Sequence, residues 1–280
     1  MNTTKKILIY PTDLLIINPV ADYGVLLAKN LNVPALLIDF ENVPIIMVPG
    51  ADMGAVLTSP AQMNIEDVRA QADSRLEAMQ KMAQKIYART NYEVGIGFPE
   101  AQLLEKAQEQ ETILLVIGQT SELNFINKWF GTFETRVAEH ADCPVLVLPE
   151  DISWTPIKHI FYIMDLEEDN LDRILILSKV AKRLGASIEI LAISDDIDEE
   201  KNNAFEQKMH DLKQVAQNDD ITSHLSNYDR LDETAEKFMK MSQANWLAFQ
   251  KKDSHFLEQL FSNNQFKKMI LQSDFPVFVF

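Results

Sequence analysis

Apolar residues fall along this chain in short runs separated by longer stretches of mixed character. Residues 6–11 (KILIYP), 34–40 (PALLIDF), 92–98 (YEVGIGF), 112–118 (TILLVIG) and 144–148 (PVLVL) have strand length and strand composition. Between them, PVADYGVLLAKNLN, a segment from about Asn64 to Arg89, PEAQLLEKAQEQ and a stretch ending near His140 carry helical spacing. In the longest of these, Asn64 is placed to cap, and Val68, Ala72, Leu76, Met79, Met82 and Ala83 share one face. Five strands alternating with four helices predict a parallel sheet covered on both faces, because parallel strands need crossovers and these are almost always right-handed.

The pattern then recurs. After the connector PEDISWTP, KHIFYIMDL (158–166) lines up with KILIYPTDL (6–14), setting Asp165 against Asp13 and Tyr162 against Tyr10. The final segment from Asn245 to Phe280 aligns without gaps on residues 113–148, with Pro276 against Pro144. Such self-similarity predicts two tandem Rossmann-like domains, 1–150 and 156–280, each a five-stranded parallel sheet sandwiched by helices. The first copy is longer by the apolar insert 41–64, which has three prolines and two glycines. It reads either as a functional loop or as a flap over core or interdomain surface.

Charge narrows the partners. The net charge is -16, with 11 basic and 19 acidic side chains in residues 1–150 and 15 and 23 in the remainder. Both halves would repel polyphosphate, which argues against nucleic acid as a partner. The apolar run near the N-terminus is too short for a signal core or membrane span, and a lone cysteine, Cys143, fits a reducing compartment; a cytoplasmic location is expected. His140, His159, His210, His224 and His255 show no metal-binding spacing, and no nucleophile elbow or phosphate loop of the GxxxxGK[ST] type is present.

Gly118 ends the fourth strand run, and Gly131 with Thr132 precedes the next helix. Both ends of that loop return to the crevice at the carboxyl ends of the strands, where open α/β sheets bind ligands. Glycine allows close backbone approach and a helix N-terminus offers N–H groups to an anion, so the two glycines could clasp a phosphate chain. Asp13, ending the first strand run, reads equally as an acceptor for a ribose hydroxyl or adenine amine and as a local cap. Trp129 and Phe130 read either as rings that stack on a base or as anchors of the loop, and Glu134 as a charge at the same helix N-terminus.

These residues resemble the universal stress protein family, and the chain is similar to tandem members of Bacteroidetes type. The resemblance rests on Pro11-Thr12-Asp13 after the first strand, on Gly118, Gly131 and Thr132 at the family spacing, and on the closing ADCPVLVLP (141–149); Ser121 stands where the family has a middle glycine. It implies a non-catalytic stress-response protein, at most a very weak ATPase. ATP with magnesium is the implied ligand, held by Pro11, Thr12, Asp13, Phe40, Ile117, Gly118, Ser121, Gly131, Thr132 and Phe133. In the second copy the motif positions are Gln250, Asp253, Asn263 and Asn264, which implies no nucleotide there.

The resemblance further implies that strands 144–148 and 276–280 make a pseudo-twofold contact, within one chain or in a homodimer. A nucleotide-free interaction scaffold using the insert is the alternative reading. An enzyme of the wider adenine-nucleotide-binding group would need a catalytic signature that the sequence lacks.

Overall fold

The computed structural model describes residues 5–11, 18–41, 65–119, 133–149, 151–167, 171–194, 196–217, 220–227, 245–251 and 275–280. Its first half runs β1 (Lys6–Tyr10), α1 (Pro19–Leu31), β2 (Ala35–Glu41), α2 (Ile65–Ile86), β3 (Thr90–Ile96), α3 (Pro99–Ala107), β4 (Thr112–Gly118), α4 (Phe133–His140) and β5 (Val145–Leu148). The second half supplies β6 (His159–Asp165), α5 (Leu171–Leu184), β7 (Ser187–Ser194), α6 (Glu199–Ala216), β8 (Ile221–Asn227), β9 (Trp246–Phe249) and β10 (Val277–Val279).

Local chemistry sets several boundaries. The Asn18 side chain accepts from the Ala21 N–H at 2.9 Å, Pro19 occupies the first turn of α1, and Asn32 closes the helix in the left-handed region at φ 54°. Asp198 caps α6 in the same way through the Lys201 N–H at 2.7 Å. On α2, Ala72, Leu76, Met79 and Ala83 are buried, but Met82 is 42% exposed. The expected face was therefore drawn one residue too wide, since at 3.6 residues per turn Met82 lies roughly 90° round the helix from the stripe of the other four.

The ten strands form one sheet in the order β3-β2-β1-β4-β5-β10-β9-β6-β7-β8. Every neighbouring pair is parallel except β5 and β10, which pair antiparallel through Val145–Val279, Leu146–Phe278 and Val147–Val277. Two five-stranded parallel halves with the same strand order thus meet back to back about a pseudo-twofold axis at the Leu146–Phe278 pair. One face of the sheet packs Ile9, Leu146, Tyr162 and Phe278 beneath α1, α2, α5 and α6; the other packs Leu8, Val145, Phe161 and Val279, with α3 and α4 covering it in the first half. Both core layers run unbroken across the junction.

Strand register corrects the sequence alignment of the two copies. Ile7, Leu8 and Ile9 lie beside Leu114, Leu115 and Val116, whereas Ile160, Phe161 and Tyr162 lie beside Trp246, Leu247 and Ala248. Because 114–116 correspond to 246–248, Tyr162 is the counterpart of Ile9, and Asp165 that of Thr12 rather than Asp13. The faces agree: Tyr162 is in the layer that contains Ile9, while Tyr10 packs against the opposite one. The similarity of KILIYPTDL to KHIFYIMDL is offset from the structural match by one residue, and an offset of one exchanges the two faces.

Candidate functional site

From β1 the chain passes outward through β2 to β3, then returns to place β4 on the other side of β1. The order reverses between β1 and β4, the switch point at which open α/β sheets form a crevice above the carboxyl ends of their strands. Tyr10 is the register partner of Ile117 there, with buried Pro11 continuing beyond β1. Gly118 pairs with Leu148, whose carbonyl accepts from the Gln119 N–H at 2.9 Å.

Aromatic rings wall this crevice on the side of α3 and α4. Tyr10 lies 6.2 Å from Phe40 and 5.8 Å from Phe133 by ring centroids, both tilted. Phe40, on β2, is 6% exposed and sits beside its register partner Gly95 on β3. A Cβ at Gly95 would come within 2.5 Å of the Phe40 ring, so this glycine makes room for the ring. Phe133 opens α4, whose first turn also carries the buried Glu134. Arg136 ties α4 to α3 through two contacts with Glu100, at 2.8 and 2.9 Å.

Of the sequence-derived site residues, the structure brings Pro11, Phe40, Ile117, Gly118 and Phe133 to this one end of the sheet. Thr12, Asp13, Ser121, Gly131 and Thr132 lie outside the described residues, as do Trp129, Phe130 and residues 42–64 of the insert. Sequence reasoning missed two contributors, Tyr10 and Gly95. Gly95 had a usable signal, a glycine inside a strand pattern, which marks close approach.

At the equivalent end of the second half, side chains of its own meet between β6, β7 and β9. Gln250, at the position of Gly118, is buried and donates from Nε2 to the Tyr162 hydroxyl at 3.1 Å. Asp165 accepts from the Glu167 N–H at 3.0 Å. Lys201 reaches Glu167 at 3.0 Å and also pairs with Asp196, while Ser194 donates to Glu167 at 2.6 Å. Burial alone would raise the Glu167 pKa, but the hydrogen bonds from Ser194 and Lys201 outweigh it and hold the carboxyl below its ordinary 4.5. The Asp253, Asn263 and Asn264 positions lie outside the described residues.

Residues 18–149 match the model of the Universal stress protein family. The first half of the chain therefore carries a domain of that family. A curated universal stress protein of Methanocaldococcus jannaschii is 28% identical over 83 residues, which is 30% of this chain and 49% of that protein; the match spans about half the relative's length. Among solved structures, a universal stress protein of Archaeoglobus fulgidus superposes with a TM-score of 0.63 at 16% identity, covering 98% of this chain and 95% of the other. A putative universal stress protein of Pseudomonas aeruginosa gives 0.59 at 12% identity, covering 99% and 92%. At those identities the likeness speaks to the shared Rossmann-like fold. Among the described residues, no helix is long and apolar enough to cross a membrane, and no group of three or more His, Cys, Asp or Glu could hold a metal ion.

Proposed function

We propose that this chain is a non-catalytic, cytoplasmic stress-response protein whose first half binds an adenine nucleotide. The observation that carries the reading is the meeting of Pro11, Ile117 and Gly118 at the reversal of strand order, beside the wall formed by Tyr10, Phe40 and Phe133. In this reading the base lies against the apolar wall, Asp13 accepts from base or ribose, and Gly118, Ser121, Gly131 and Thr132 hold the phosphates with backbone and hydroxyl groups. ATP with magnesium is the proposed ligand. The second half binds no nucleotide, because Gln250 and the Glu167–Ser194–Lys201 network take up the corresponding end of its sheet.

The reading needs no general base, and sensing by occupancy is the proposed use of the site. The test is calorimetric titration of nucleotide-free protein with ATP and magnesium, beside the Gly118→Glu variant. Saturable binding to the parent that the variant lacks supports the sensor. Absence of binding at millimolar ATP replaces it with a nucleotide-free interaction scaffold.

A further inference from the structure

A second concavity lies at the junction of the halves, on the opposite edge of the sheet from the β1–β4 crevice. It is an open hollow of about 690 Å³ between the C-terminal end of α4, the start of β5, the exposed face of α5 and the carboxyl ends of β9 and β10. That size falls within the ordinary range for small-molecule sites. Its polar equipment includes two cations from the second half, Arg173 on α5 and Lys251 after β9.

Lys251 is set in place by backbone alone. Its N–H donates to the Phe280 carbonyl at 2.7 Å, and its Nζ donates to the carbonyls of Ala141 and, at 2.9 Å, Cys143. An ammonium has three protons, so one donor remains after those two carbonyls. Burial lowers its pKa and the Arg173 charge adds to that, against the raising influence of Cys143 and Asp142. Among the described residues, neither Lys251 nor Arg173 forms an ion pair, although Glu139 and Asp142 line the same cavity. His140 also lines the hollow, its Nδ1 held 2.8 Å from the Arg136 carbonyl. Ile176, Pro144 and Phe280 supply apolar wall.

We propose that this junction cavity binds a small organic oxyanion, a carboxylate or phosphate, with Lys251 and Arg173 as its charge partners and the apolar wall taking the rest of the molecule. Charge-assisted hydrogen bonds are the strong kind, and Lys251 offers its remaining proton from a half-buried position while Arg173 reaches in from the exposed face of α5. Residues of both halves build the cavity, so occupancy there would sense their mutual packing.

The experiment is titration of the full chain with inorganic phosphate and, separately, propionate, following the Lys251 Nζ resonance by ¹⁵N NMR against sodium chloride at matched ionic strength. At least one probe is expected to give a saturable shift, and the one that does identifies phosphate or carboxylate as the preferred group. Arg173→Leu, a change on an exposed helix face, is expected to weaken that probe about tenfold. Gly118→Glu is expected to leave it unchanged, which separates this site from the nucleotide crevice. A folded Lys251→Met variant is expected to lose the probe's binding heat in calorimetry. No saturable shift with either probe, a shift that chloride reproduces, or one that Arg173→Leu leaves intact would overturn the proposal and reduce Lys251 to a staple between the halves.

Discussion

Phe40 and Gly95 show how one missing atom shapes a site. The two are register partners on adjacent strands, and only the absence of a Cβ at position 95 lets the Phe40 ring lie against Tyr10. Gly95→Ala is expected to cost about 1–3 kcal/mol in urea unfolding, the range for overpacking a tight site. In a Phe40→Leu background the same change should cost less, since the clashing ring atoms are gone; equal costs in both backgrounds would contradict the assigned clash. If the proposed crevice is occupied, Gly95→Ala also weakens nucleotide binding by moving its wall. Gly24 plays a related part inside the core: a Cβ there would lie 2.8 Å from the Ile9 Cδ1, which allows α1 to settle onto β1.

Among elements, caps and charge networks make the clearest predictions. Asn18→Ala removes the side-chain acceptor at the start of α1 and is expected to cost about 1 kcal/mol by chemical denaturation. The Glu167–Lys201 pair has a defined pH signature. Glu167 is held below 4.5, so its contribution is present above that value and fades as pH falls through the lower folded value. Lys201 is raised above 10.5, first by Asp196 and then by Glu167, so its contribution persists below 10.5 and fades only at higher pH. The stability difference between parent and Lys201→Met should therefore be flat through neutral pH and shrink below about pH 4.5. A difference that grows on acidification would reject the pairing.

The elements of the first half were legible because their apolar runs have distinct lengths and breaks. TILLVIG matches β4 residue for residue, and α2 differs from its expected span only at the frayed ends. The relative register of the copies was hidden for the same reason that the strands were easy to find. With both faces of the sheet buried, β1 and β6 are apolar at nearly every position, and a one-residue slip leaves their hydrophobicity unchanged. At the crevice, sequence pattern located Gly118 but not Tyr10, because a tyrosine's role depends on which face it occupies. The junction cavity had no sequence signal, since its residues come from five separate elements.

At the scale of the molecule, the halves are joined by more than a strand pair. The Trp246 indole, on β9, donates at 2.7 Å to the hydroxyl of Tyr23, on α1, and Tyr23 meets Trp154 of the connector edge-on at 4.9 Å. Tyr23→Phe would leave a buried indole N–H without that acceptor and is expected to cost about 1–3 kcal/mol. Burial pushes the Tyr23 pKa up to about 12, with the Trp246 contact opposing it weakly. An unfolded tyrosine ionises near 10, so the parent should lose stability between about pH 10 and 12 and Tyr23→Phe should lose less there. Continuous core layers further predict one cooperative thermal transition for the whole chain, with equal calorimetric and van't Hoff enthalpies. Two separate transitions would mean that the halves melt independently.

The antiparallel union of β5 with β10 has an evolutionary consequence. Across a homodimer interface symmetry duplicates every substitution, so a change that spoils one site spoils both. Here the two faces of the contact are encoded separately. Gln250 can occupy the place of a glycine in one half while Gly118 persists in the other, and Phe278 can pack against Leu146 instead of against its own copy. Encoding both halves in one chain leaves each free to change without the other, and a hollow built from both of them is something that neither half could offer alone.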